Sequence, residues 1–170
     1  MLSQKQEVPK SAVFDRKIEY ATSGLAASCA KALHSLSDVN ATIIADYMTA
    51  IRFEINPSDH YRKSIIETLS VFAKFTDNKS FKDITKGDIL SFLESFRKTD
   101  AIDPLHKWIG TYNVFRMHLL RFFKWFYSPE LEPTKRTKPS LLENIPKLKR
   151  KEKSIYKPSI CGLSKMIYCS

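Results

Sequence analysis

No stretch of this chain runs apolar for the roughly 20 residues that a membrane-crossing helix needs. The first residues, MLSQKQEVPKSAVFDRK, lack the compact apolar core of an export signal. The three cysteines, Cys29, Cys161 and Cys169, have no metal-ligand spacing and cannot all pair within one chain. With no export signal, reduced thiols and a cytoplasmic location are the default expectation. The four histidines, His34, His60, His106 and His118, are scattered and suggest no metal site. Nothing implies a cofactor or a small-molecule substrate. Sustained apolar–polar alternation is also missing, so no sheet is expected and the chain reads as all-α.

Acids are missing from one region in particular. The 170 residues carry a formal net charge of +10, yet residues 1–105 hold as many acids as bases and read as ordinary soluble protein. The excess sits in residues 106–127 and 134–158. Such asymmetry points to nucleic acid or an anionic membrane surface, and the lack of a spanning run makes the membrane the weaker option.

The stretch His106–Tyr127, HKWIGTYNVFRMHLLRFFKWFY, organises the rest. Trp108, Tyr112, Phe115, Leu119, Phe122 and Phe126 recur at helical spacing, and Ile109, Leu120 and Phe123 widen the stripe. The opposite face carries Lys107, Gly110, Asn113, Met117, Arg121 and Lys124, with no acid. A solvated face usually mixes signs. A single-sign face, with a glycine that permits close backbone approach, suits a polyanion. Asn113 is the candidate base reader, because its amide can pair with adenine.

Taken in order, residues 1–37 are poorly patterned, although ATSGLAASCAKALHSL allows a weak Ala-rich helix. A firmer helix starts near Ser37 or Asp38, either of which can cap it. Val39, Ile43, Tyr47, Ala50 and Ile51 mark its buried side, with Ile44 and Met48 close by. Asn56-Pro57 predicts the start of the next helix, running to about Thr76. Its stripe is Tyr61, Ile65, Leu69 and Phe72, and its early outer side offers Ser58, His60, Arg62 and Lys63. Acids favour that end of a helix, so the adjacent cations Arg62 and Lys63 suit a phosphate-facing role. Thr85 and Asp88 form a capping box, with Ile84 and Ile89 placed for a hydrophobic staple, and this helix is expected to reach about Lys98. Asp103-Pro104 then launches the organising helix. Residues 128–158 carry five prolines and KLKRKEK, which predicts an extended basic linker. Within it LLENIP is short apolar material able to dock on a body. The tail from Ile160 has no pattern.

This order of helices, with an aromatic-rich last helix and a basic linker, resembles the core-binding domain of tyrosine recombinases, especially archaeal integrases. The residues that carry the resemblance are KSIIETLSVFAKFT, FKDITKGDILSFLESFRK and GTYNVFRMHLLRFFKWFYSPEL, followed by KLKRKEKSIYKPS. It covers about residues 38–159. It implies a four- to five-helix core-binding (SAM-like) domain over 38–128 that clamps duplex DNA, a linker over 129–159 that leads toward a catalytic domain, and an unpatterned tail over 160–170. Full-length recombinase protomers are possible further partners. The residues expected at the DNA are Arg62, Lys63, Lys107, Gly110, Asn113, Arg121 and Lys124, together with Lys147, Lys149, Arg150, Lys151 and Lys153 of the linker.

The family cleaves DNA with a tyrosine whose phosphate transition state is held by arginines, a lysine and usually a histidine. That domain would follow the linker, and Ile160–Ser170 do not continue the pattern, so the chain reads as truncated and non-enzymatic. His118-Leu119-Leu120-Arg121 matches the family's His-x-x-Arg box by letters, and Tyr156 follows. But Leu119 and Leu120 lie on the apolar stripe, so this run reads as packing. Two function classes stand at this point. One is a DNA-binding module without chemistry of its own. The other is a helical interaction protein whose basic tail binds an acidic partner or RNA.

Overall fold

The computed structural model describes residues 10–149. They form α1 (Lys10–Thr22), α2 (Ala27–His34), α3 (Asp38–Ile55), α4 (Asp59–Phe75), α5 (Lys86–Glu94) and α6 (Trp108–Tyr127), then one 3-10 turn at Ser140–Leu142. No strand occurs among the described residues, so the protein is all-α. Six helices occur among the described residues: four lie within 38–128, as expected, and two more form in the poorly patterned segment before it.

The two extra helices are short and held by tertiary contacts. α1 packs on α3, and α2 packs on α4. Ile18, Ala21, Cys29, Leu33 and Leu36 are all buried in the common core. Lys17 Nζ donates to Asp46 at 2.8 Å, and Arg52 donates to the Tyr20 carbonyl at 3.0 Å while lying over the Tyr20 ring. Gly24, at φ +80, makes the turn between α1 and α2 in a conformation that costs glycine nothing.

Ser37 caps α3 as expected, its hydroxyl accepting from the Asn40 amide. The buried side is rotated from the expected stripe. Ala41, Ile44, Ala45 and Met48 are the deepest residues, whereas Val39 is 58% exposed. The physical reason is that α3 is covered from two sides, by α1 and α2 and by α4 and α6. Asn56 does not open α4. It ends α3 in the left-handed region at φ +41, and Ser58 caps α4 instead. Pro57 disfavours the right-handed conformation at Asn56, and asparagine tolerates the left-handed one.

The capping box forms as read. The Asp88 carboxylate accepts from the Thr85 amide at 2.8 Å, and Thr85 Oγ1 accepts from the Asp88 amide at 3.3 Å. Lys79 also donates to Asp88 at 2.8 Å. That bond first, then the one from the Thr85 amide, holds the Asp88 carboxyl below its usual range. α5 stops at Glu94 rather than near Lys98. Asp103 does cap α6, but at a distance: its carboxylate accepts from Trp108 N at 3.0 Å. The helix therefore begins at Trp108, after His106 turns the chain at φ +50.

The core is a chain of aromatic rings centred on α6. Phe122 packs edge-on against Tyr47 of α3 at 5.3 Å and against Phe81 at 4.8 Å. Phe123 meets Phe72 of α4 at 6.2 Å, and Phe115 stacks on Phe92 of α5 at 5.8 Å. Phe81 comes from the α4–α5 loop and is held there by Asn40. The fully buried Asn40 amide donates to the carbonyls of Asn78 and Lys79 and accepts from Phe81 N. With both amide protons and the carbonyl oxygen engaged, a polar side chain at the centre of the core is satisfied.

Residues 129–149 do not leave the body as an extended linker. Leu142 and Ile145 are buried in the same core as α6. The LLENIP stretch is thus part of the helical body, and the prolines shape a strap across α6 instead of detaching it.

Candidate nucleic-acid interface

The outer face of α6 divides into a covered half and an open half. The strap crosses the N-terminal half. Asn113 Nδ2 donates to the Leu148 carbonyl at 2.8 Å, and Leu148 N donates to Asn113 Oδ1 at 3.1 Å. Arg116 gives two bonds to the Ile145 carbonyl, at 3.0 and 2.8 Å. The Tyr112 hydroxyl donates to the Pro146 carbonyl at 3.4 Å. Asn113 therefore spends both ends of its amide on backbone, and the base-reading role expected of it is pre-empted by Leu148. Arg116, which the helical spacing did not single out, is the strap's charged anchor.

The strap presents its own cations where it covers those of the helix. Lys147 and Lys149 are exposed. Arg150, Lys151 and Lys153 lie outside the described residues. Gly110 is half-buried in the first turn of α6, and Lys107, exposed, is its N-cap residue.

The C-terminal half of the face is open. Arg121 is exposed, donates to the Tyr61 hydroxyl and lies over the Tyr61 ring. Lys124, one turn on, meets no acid among the described residues. Both line a cavity of about 340 Å³ between the end of α3, the start of α4 and the segment after α6. Arg136 closes one side of it. Its guanidinium is buried, pairs with both oxygens of Glu54, and also donates to the carbonyls of Ser128 and Pro129. The Glu54 partner raises the already high Arg136 pKa.

The α4 cations separate. Arg62, expected on the outer side, is 4% exposed. It pairs with Asp59 at 2.9 Å and donates to the Ala21 carbonyl at the end of α1, also at 2.9 Å. It is a tie between α4 and α1, and burial removes it from any phosphate. Lys63 is exposed but faces Glu67 one turn later at 3.7 Å, and Asp59 supplies the acid that the first turn favours.

His118 lies in the core at 2% exposure. Its Nδ1 is 2.9 Å from Thr68 Oγ1, and its ring meets Tyr61 edge-on. Thr68 also donates to the Ser64 carbonyl at 2.8 Å. A hydroxyl has one proton, so with that bond made the hydrogen shared with His118 comes from Nδ1. Burial first, and the nearby Arg121 charge second, push the His118 pKa down to about 4. It is a neutral packing residue. Arg121, one turn on, lies at the surface over the same Tyr61 ring, and Tyr156 lies outside the described residues.

No group of three or more His, Cys, Asp or Glu residues able to hold a metal ion occurs among the described residues. No helix of the described residues is long and apolar enough to cross a membrane. Comparison with known proteins returned no matching family model, no matching curated protein and no matching solved structure.

Proposed function

We propose that this chain is a duplex-DNA-binding module, resembling the core-binding domain of tyrosine recombinases, that acts without chemistry of its own. One observation carries the reading: Arg121, Lys124, Lys147 and Lys149 lie on one helix and the strap that crosses it, and no acid among the described residues pairs with any of them. Elsewhere on the body Lys17, Lys63, Lys79 and Arg97 each have an acidic partner, and the cations without one, such as Lys31, Lys74 and Lys86, lie singly on the separate helices α2, α4 and α5. A row of unneutralised cations on a rigid helix releases counterions from a phosphate backbone, which favours binding with little regard to sequence. Full-length recombinase protomers at the same DNA site are the partners this reading suggests.

The experiment is duplex binding as a function of salt. With about 5–8 phosphates neutralised, log K against log salt falls with a slope of about −4 to −7. Arg121→Ala lowers affinity uniformly across sequences and makes the slope shallower by about one unit. A slope near zero removes the DNA reading and leaves the basic surface to an acidic protein partner.

A further inference from the structure

The cavity beside Arg121 and Lys124 has a composition that duplex binding does not require. Its inner wall is Tyr47, which is only 3% exposed. The Tyr47 ring is fixed edge-on against Phe122 and tilted against Trp125 at 5.1 Å. Its hydroxyl has no hydrogen-bond partner among the described residues. The hydroxyl opens into the cavity without a protein partner, so it is a donor available to an acceptor bound there. Burial chiefly, with the Tyr61 hydroxyl second, raises its pKa further above the ordinary range, so it remains a donor.

Charge specifies the ligand. Arg136 and Glu54 neutralise each other, leaving Arg121 and Lys124 as an excess of two positive charges at the cavity. A carboxylate would neutralise half of that excess, whereas a phosphate monoester near pH 7 carries about two negative charges. The guanidinium and the ammonium are the two groups that suit phosphate oxygens, the first by its fork and the second as a point charge. The remaining wall is Tyr61, whose hydroxyl accepts from Arg121, and the apolar Ile51, Pro133 and Ile55, the last 54% exposed and leaving aliphatic surface uncovered at the mouth. A volume of about 340 Å³ is at the lower end of small-ligand sites. We propose that this cavity is a binding site for a mononucleotide-class phosphate monoester, with the phosphate between Arg121 and Lys124, the Tyr47 hydroxyl donating to it, and a flat ring against Ile51, Ile55 and Pro133. The monoester is supplied by a free nucleotide or by the 5′-phosphorylated end of a nucleic-acid strand. The inference does not rest on duplex binding, whose phosphates are internal diesters.

Titration of the full chain, followed by calorimetry and by the fluorescence of Trp125 beside Tyr47, tests it with four probes. These are AMP, adenosine, and one short single strand with either a 5′-phosphate or a 5′-hydroxyl. AMP or the 5′-phosphorylated strand is expected to bind saturably at least ~10-fold more tightly than its dephosphorylated counterpart. Preference confined to AMP identifies the free nucleotide as the source, and preference shared by the phosphorylated strand identifies the strand end. Lys124→Gln is expected to reduce that binding by about tenfold, as the loss of a charge-assisted contact does. Tyr47→Phe removes only a hydroxyl with no protein partner. It is expected to leave thermal stability unchanged, to leave the duplex salt slope unchanged, and to weaken AMP or strand-end binding severalfold. Adenosine binding as tightly as AMP, no saturable binding by either phosphorylated probe at millimolar concentration, or indifference to both Lys124→Gln and Tyr47→Phe overturns the site without touching the duplex reading.

Discussion

Ile145→Ala tests whether the strap belongs to the folded body. Ile145 is 3% exposed and lies in the same core as Leu142, Tyr112 and Phe122. Truncating a buried isoleucine to alanine removes the transfer free energy of three carbons and leaves a void that the neighbours fill only in part, at a cost of about 2–5 kcal/mol. The lower half of that range applies, because the strap is a single pass of chain and relaxes more easily than a helix. We therefore expect about 2–3 kcal/mol. For a domain of this size each kcal/mol lowers Tm by about 2–4 °C, so the melting temperature should fall by about 4–12 °C. Lys147→Ala, two residues away and exposed, is the matched control and should stay within about 0.5 kcal/mol.

The assay is thermal and urea unfolding followed by far-UV circular dichroism, with m compared between variants. A lower midpoint at unchanged m is a loss of stability in one cooperative unit. An Ile145→Ala variant that melts with the parent, within the error of Lys147→Ala, would show that the strap is a detached linker and that α6 is complete without it. That outcome would also return Asn113 and Arg116 to solvent and reopen the base-reading role of Asn113.

Two further substitutions separate structural groups from DNA contacts. Arg62→Ala leaves the Ala21 carbonyl without its partner, so stability should fall by about 1–3 kcal/mol while duplex affinity, measured where the variant is folded, stays within about twofold. His118 has a folded pKa of about 4 against an ordinary 6.5; the unfolded chain takes up the proton first as pH falls, so its contribution is intact above 6.5 and drains away toward 4, by up to about 3 kcal/mol. His118→Gln should flatten that acid limb in urea melts compared across this window, and an unchanged limb would refute the buried-neutral assignment.

The elements that were legible in the sequence are those whose signals are local. Ser37, Thr85 with Asp88, and the aromatic spacing of α6 each depend on residues within two turns of one another, and each appears where it was read. The misses are tertiary. α1 has little apolar periodicity and is held by Ile18, by Ala21 and by the pair of Lys17 with Asp46, a residue 29 positions away. The stripe of α3 is legible only in part: Tyr47 and Ile51 are buried as expected but Val39 is exposed, because a helix covered on two sides has no single buried arc. Arg62 looked like a surface cation for the same reason. Nothing near it in sequence reveals that the Ala21 carbonyl will sit above its guanidinium.

The interface shows the same limit in its most consequential form. A helix face can be read from spacing, but what covers it cannot. Asn113, Met117, Arg121 and Lys124 share the outer arc of α6, yet a strap some 30 residues downstream takes Asn113 and leaves Arg121 and Lys124 open. Arg116 lies one turn from Asn113 at the border of the apolar stripe, where spacing alone does not mark it, and its two bonds to the Ile145 carbonyl hold the strap down. On the proposed duplex reading, this arrangement sets which contacts the helix offers to DNA. Eight residues of helix, about 12 Å, separate Asn113 from Arg121, so the open cations reach phosphate without the strap moving. A base edge reaches Asn113 only if both bonds to Leu148 break, and the two together are worth about 1–3 kcal/mol. Phosphate contact at Lys124 breaks no bond of the protein while base contact at Asn113 breaks two, which on the proposed duplex reading weights this surface toward affinity over sequence selectivity.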